Sequence, residues 1–185
     1  MDASERKAAL GLARNALESW VRKRKTMSLP VLPPVFKEKR GCFVTLKRGG
    51  ELRGCIGFPE PIMLLAHALV EAAKEAAEDP RFPRVKADEL NAITIEVSVL
   101  TKPSPLNGER KDAPKLIKVG RDGLIIRHSP FSGLLLPQVA TEWHFNAEQF
   151  LDQTCLKAGL DPGDWHDKKT EVLTFQAEVF SESEP

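Results

Sequence analysis

The sequence predicts an α+β fold, with a largely antiparallel sheet and flanking helices. Three observations carry that reading. Apolar residues recur at helical spacing in some segments and alternate strictly in others. The glycine-centred segment 41–57 has the form of a hairpin, which joins antiparallel neighbours directly. Strand-like and helix-like segments do not follow one another in the regular βαβ order of a parallel sheet.

Residues 4–24 read as a helix capped by Ser4, with Leu12, Ala13, Ala16, Leu17, Trp20 and Val21 on its buried face. Arg22 to Lys25 complement the dipole at its C-terminal end. Pro30, Pro33 and Pro34 then enforce an extended connector. In the hairpin, hydrophobic patterning favours a three-residue loop, Arg48-Gly49-Gly50. That register sets Leu46 against Leu52, Val44 against Gly54 and Cys42 against Ile56, and projects Arg53 and Cys55 together from the opposite face. A second helix is expected over 61–78, burying Ile62, Leu65, Leu69, Ala72, Ala73 and Ala76 and stopped by Asp79-Pro80. Residues 92–100 alternate as a half-buried strand. Pro103 to Pro114 reads as a polar loop. Leu116–Val119 and Leu124–His128 read as a hairpin around Gly120 to Gly123. The apolar run Leu134 to Leu136 ends at Pro137. Asn146 and Gln149 form a capping box for a third helix with Phe150, Leu151, Thr154 and Ala158 inside and Gly159 at its close. A single strand, Glu171 to Phe180, completes the pattern, with Leu173, Phe175, Ala177 and Val179 on one face.

Composition bounds the function. A chain of 185 residues suits one domain or two small intimate subdomains and needs no metal or disulfide staple. A hydrophobic share of 42% excludes a disordered chain. Lys plus Arg, 27, nearly balance Asp plus Glu, 26, so nothing global favours nucleic acid. Cys42, Cys55 and Cys155 are odd in number and fit no disulfide framework, so reduced thiols and a cytoplasmic location are expected. The opening MDASERKAAL lacks the apolar core of a signal peptide, and no apolar stretch reaches the ~18 residues of a span, so no membrane association is expected. There is no CxxC or HExxH and the four histidines are scattered, so neither a metal nor a cofactor is expected.

Arg53-Gly54-Cys55-Ile56-Gly57 is the segment able to carry chemistry. Glycines inside a strand weaken it, and mark a bulge or a close approach to the backbone. Here Gly54 and Gly57 would leave peptide groups open beside the thiol. A helix beginning near Pro61 with its N-terminus aimed at Cys55 would favour thiolate, and Arg53 would add a fixed cation. Thiolate, oxyanion donors and a cation are the parts of a nucleophilic cysteine site. The plain alternative is that Cys55 packs as a small hydrophobe, as Cys42 and Cys155 are expected to do. Asp79 and Arg81 read either as a site pair or as a pair that fixes a turn. Gln138 and Glu142, flanking an apolar run and Trp143, read either as a polar cleft wall or as ordinary hydrogen-bonding residues.

LRGCIG, DPRFP, VGRDGLIIR, SGLLLPQVATEW and FLDQTCLKAGL, in this order over roughly Gly41 to Phe180, resemble the AMMECR family. The resemblance implies a larger and a smaller subdomain with a cavity between them, here placed at 1–110 plus 141–185 and at 111–140. Its motif positions map onto Leu52 to Gly57, onto Asp79 to Phe82, and onto Leu136 to Ala140 with Glu142 and Trp143. It supplies no established activity. Members are encoded beside or fused to Memo-like and radical-SAM proteins, which implies a partner of that kind. Three functions compete. The first is an enzyme using Cys55, with Arg53 and Gln138 orienting an anionic or polar substrate. The second is a non-catalytic adaptor or ligand-binding module. The third is an RNA-binding or RNA-modifying protein, for which Arg22–Lys25 and Arg81–Lys86 are the available basic segments.

Overall fold

The computed structural model describes residues 1–183. In chain order the elements are α1 (Ala3–Lys23), β1 (Cys42–Arg48), β2 (Glu51–Phe58), α2 (Leu65–Ala76), β3 (Ile93–Leu100), β4 (Ser104–Pro105), α3 (Ala113–Leu116), β5 (Gly123–His128), β6 (Phe131–Leu135), α4 (Pro137–Glu142), α5 (Ala147–Lys157), β7 (Glu171–Phe175) and β8 (Ala177–Ser181). The chain is α+β, as the sequence predicts. It divides into two compact units, one of Met1–Leu100 with the chain from Glu178 onward, the other of Thr101–Ala177.

In the first unit, Asp2 rather than Ser4 caps α1. Its carboxylate accepts the Glu5 N–H at 2.8 Å while the Glu5 side chain accepts the Asp2 N–H at 2.9 Å, a reciprocal pair that starts the helix earlier than expected. Ala9, Leu12, Ala13, Ala16 and Leu17 are buried. The sheet order is β2-β1-β3-β8. Cys42, Val44 and Leu46 of β1, with Ile95, Val97 and Val99 of β3, join the buried residues of α1 and α2 in one core. The opposite face of these strands carries Phe43, Thr45, Lys47, Glu96 and Ser98, all half-buried.

The hairpin departs from the expected register. Gly49 and Gly50 both take positive φ, 59° and 85°, so they make a two-residue turn, with Arg48 opposite Glu51. The register then shifts: Leu46 lies opposite Gly54 but Lys47 opposite Leu52, which leaves Arg53 as the extra residue of a bulge. Val44 faces Ile56 and Cys42 faces Phe58. The bulge does the work assigned to the longer loop. It restores one apolar face despite the tighter turn. Helix α2 begins at Leu65, later than expected, and Ile62 is exposed rather than buried.

In the second unit the sheet order is β4-β7-β5-β6, all antiparallel. Leu124, Ile126, Ala140, Phe150, Leu151, Cys155, Trp165 and Val172 share its core. The smaller unit is therefore 101–177, not 111–140, because α5 and β7 supply the apolar surface that β5 needs. Leu116–Val119 is not a strand: Pro114 sits in the first turn of α3, and β5 pairs instead with β6, which holds the run expected after Ser132-Gly133. Gly133 is required there, since a Cβ would lie 2.3 Å from the Ala158 nitrogen. The capping box of Asn146 and Gln149 opens α5 as expected. The terminal strand is two. At Gln176 the N–H turns to Thr101 Oγ1 at 2.8 Å, and the side chain donates to Asp122. The alternation then inverts, so that Phe180 is buried and Val179 exposed. No helix among the described residues is long and apolar enough to cross a membrane.

Candidate functional site

Strand β2 lies at the edge of its sheet, so one side of its main chain has no strand to pair with. At Cys55 that open side is closed by side chains. The Cys55 N–H donates to Asp79 Oδ2 at 2.9 Å, and Arg81 Nη2 donates to the Cys55 carbonyl at 3.2 Å. A carboxylate and a guanidinium thus stand where the C=O and N–H of a neighbouring strand would be. The two are locked together. Asp79 Oδ1 accepts from the Arg81 main-chain N–H and from Nε, both at 3.0 Å, and Oδ2 accepts from Nη2 at 2.7 Å. Asp79 is 2% exposed. The hydrogen bond from Arg81, against burial and aided by the Cys55 and Arg81 N–H groups, holds its carboxyl far below the usual range.

Gly54 has a direct steric reason. A Cβ there would lie 2.2 Å from the carbonyl oxygen of Ala76, the last residue of α2. The helix end that meets this strand is therefore the C-terminal, partially negative one, and the dipole support expected for a Cys55 thiolate is reversed in sign. The expected oxyanion donor is also committed, because the Cys55 amide serves Asp79. Gly57 is needed for the Phe43 ring, which a Cβ would meet at 2.4 Å.

Arg53, expected beside the thiol, is held elsewhere. Its Nε and Nη2 grip Glu89 at 2.9 and 3.0 Å, and Arg48 and the Lys86 N–H also donate to that carboxylate. These bonds, Arg53's first, pull the Glu89 carboxyl from 4.5 down to about 2. Arg53 fixes the bulge; the guanidinium nearest the Cys55 peptide belongs to Arg81.

The Cys55 side chain is half-buried, whereas Cys42 and Cys155 are fully buried. Burial pushes the Cys42 thiol to about 12 and the Cys155 thiol to about 11. Thr45, directly opposite on β1, donates from Oγ1 to Cys55 Sγ at 3.2 Å. Glu96 continues that cross-strand row on β3 and pairs with Lys47 at 2.7 Å. Gln138 and Glu142 stand one helical turn apart on α4 of the second unit, both exposed. The structure thus gathers Gly54, Cys55, Asp79 and Arg81, turns Arg53 to Glu89, and keeps Gln138 and Glu142 on a separate element. Thr45 and Glu89 have no place in the sequence-based site. Thr45 becomes visible once the hairpin register is known; Glu89 leaves no local signal, lying 36 positions from Arg53. Among the described residues no group of three or more His, Cys, Asp or Glu could hold a metal.

Comparison with known proteins gives a consistent picture. The AMMECR1 family model matches residues 10–180. A protein of Methanothermobacter thermautotrophicus is 54% identical over 96% of this chain and 94% of its own length. One from Thermococcus gammatolerans is 52% identical over 94% of this chain and 88% of its own. The crystal structure of the uncharacterized protein PH0010 from Pyrococcus horikoshii is similar with a TM-score of 0.78 at 48% identity, covering 95% of this chain and 90% of that one.

Proposed function

The chain belongs to the AMMECR1 family, and on that premise we propose that it is an enzyme whose chemistry runs through the Cys55 thiol. One contrast carries the reading: of the three cysteines, Cys55 alone is not sealed, and it alone has a hydroxyl donating to its sulfur. Arg81, clamped on one side by Asp79, leaves Nη1 directed at no partner among the described residues and is more than half exposed. In this reading it takes over the part first given to Arg53 and holds an anionic substrate group. The sulfur then attacks an electrophilic carbonyl carbon. The S–C bond forms as the C=O π pair moves to oxygen, and the thiol proton passes to water.

Mild alkylation with site-resolved mass spectrometry tests this. Cys55 is expected to label at least ~10-fold faster than Cys42 or Cys155, in line with their burial. Equal slowness of all three removes the reading.

A second reading, an adaptor for a Memo-like or radical-SAM partner, is favoured by the second unit. There Trp143, 69% exposed, stacks on Phe145 with centroids 6.5 Å apart. With Leu135, Val139 and Leu156 they line a groove of about 400 Å³. Co-purification with such a partner, lost on Trp143→Ala, would favour it. A partner that binds the variant equally well would count against it.

A further inference from the structure

Two features of the sequence have no part in the site at Cys55: the basic run Arg22 to Lys25 and the proline connector that follows it. The stretch 22–40 holds seven basic residues against Glu38 alone, in a chain whose total charge is +1. Residues 25–33 form neither helix, strand nor turn. Pro30, Pro33 and Pro34 fix their own φ and bias Leu29 and Leu32 to extended backbone. The segment follows a polyproline II course, and Pro33 itself has φ −52° and ψ 156°. That course repeats every three residues. Leu32 and Val35 turn inward onto the first core, as does Met27. Val31 and Pro34, on the next ridge, face out; Val31 is fully exposed, and Leu29 and Pro30 beside it are exposed as well. Both ends are tied down. Ser19 Oγ donates to the Lys25 carbonyl at 2.8 Å, and the Phe36 N–H donates to the Pro33 carbonyl at 3.1 Å.

We propose that residues 28–34 dock into a partner protein whose groove is walled by aromatic rings and rimmed by acidic side chains. A preformed polyproline II ridge loses little conformational freedom on entering such a groove. Cations on both sides of the ridge select the acidic rim. Arg24 is held by Glu78 and Arg40 by Glu38, but Arg22, Lys23, Lys25 and Lys37 are exposed and have no ion-pair partner among the described residues. Nucleic acid fits less well. Single strands stack on open aromatic faces, and the Trp20 ring already meets Arg24 at 5.5 Å and Lys74 at 4.9 Å. A lipid surface also fits less well, since interfacial anchors bury aromatic and leucine side chains, and Phe36, the one aromatic residue of 22–40, is buried in the protein. The inference is independent of Cys55 and of the groove at Trp143.

The test is amide NMR of the isotope-labelled full chain, titrated with a panel of isolated SH3 and WW domains, whose grooves are aromatic and read proline-rich segments. The amides of Leu29, Val31, Leu32 and Val35 are expected to shift saturably with at least one acidic-rimmed domain, and less so as salt is added. Val31→Asp should weaken that binding at least ~10-fold and Lys25→Glu about 3-fold. Thermal melts check that both variants keep the fold. Should Val31→Asp melt early, Val31→Ala replaces it, with weakening in the same direction. A panel in which no domain shifts these amides overturns the proposal, as does undiminished binding by the Val31 variant. Phosphatidylglycerol vesicles or polyuridylate that perturb the same amides, while every domain leaves them unmoved, also overturn it, and give the segment to a membrane or to RNA.

Discussion

Asp79 and Arg81 do for Cys55 what a fifth strand would do, and the residues around them are shaped by that closure. Gly54 lets the strand touch the carbonyl end of α2, so Gly54→Ala must push backbone from backbone. It should lower stability by about 3 kcal/mol in urea denaturation. Arg53 and Glu89 hold the bulge beside it, and their pairing depends on pH in a defined direction. The folded Glu89 carboxyl lies at about 2, below its ordinary 4.5. Its contribution is therefore complete at neutral pH and fades as pH falls from about 5 toward 2. Glu89→Gln should cost about 1–3 kcal/mol at pH 7. It should also flatten stability against pH over that acid window, as followed by circular dichroism. At this scale the sequence names Cys55, Gly54, Asp79 and Arg81 but misassigns Arg53. Two residues on one ideal strand face separate once a bulge intervenes, and nothing local announces the carboxylate of Glu89.

Among the elements, those defined by their own period and caps are legible. The apolar stripe of α1, the alternation of β3, and the capping box of α5 depend on neighbours three or four positions away. Asn146→Ala should accordingly lower stability by about 1 kcal/mol, seen as a reduced melting temperature. Elements defined by distant partners are not legible. The register of β1 and β2 turns on a bulge that trades one loop residue for one strand residue. The break between β7 and β8 turns on Gln176 meeting Thr101 and Asp122, a choice invisible in an unbroken run of strand-forming residues. α2 begins late for a related reason. Its apolar pattern extends back to Ile62, but Ile62 and Leu64 stay exposed, Met63 only packs against the rim of the core, and full burial starts at Leu65.

For the molecule as a whole, the two units differ in how the chain supplies them. The second is one continuous stretch; the first needs the chain again from Glu178. That return is anchored by Phe180 in the core and by Glu182, whose carboxylate accepts from Arg14 and from the Ile95 N–H at 2.8 Å. Arg14 in turn donates to the carbonyls of Leu90 and Ile93 at 3.1 and 2.7 Å. A chain ended after Gln176 should therefore lose amide-exchange protection in β3 and α1 while β5 and β7 keep theirs. Equal loss in both units would refute that division.

The same return sets an order of events during synthesis. A ribosome releasing about 5–20 residues per second delivers β1, β2 and β3 long before their last companion. For those seconds the nascent sheet offers β3 bare to the cell. The intervening stretch has every strand it needs and is free to finish first. Chaperone contact or misassembly, where it arises, should thus fall on the amino-terminal hundred residues, in the interval before the final strand emerges.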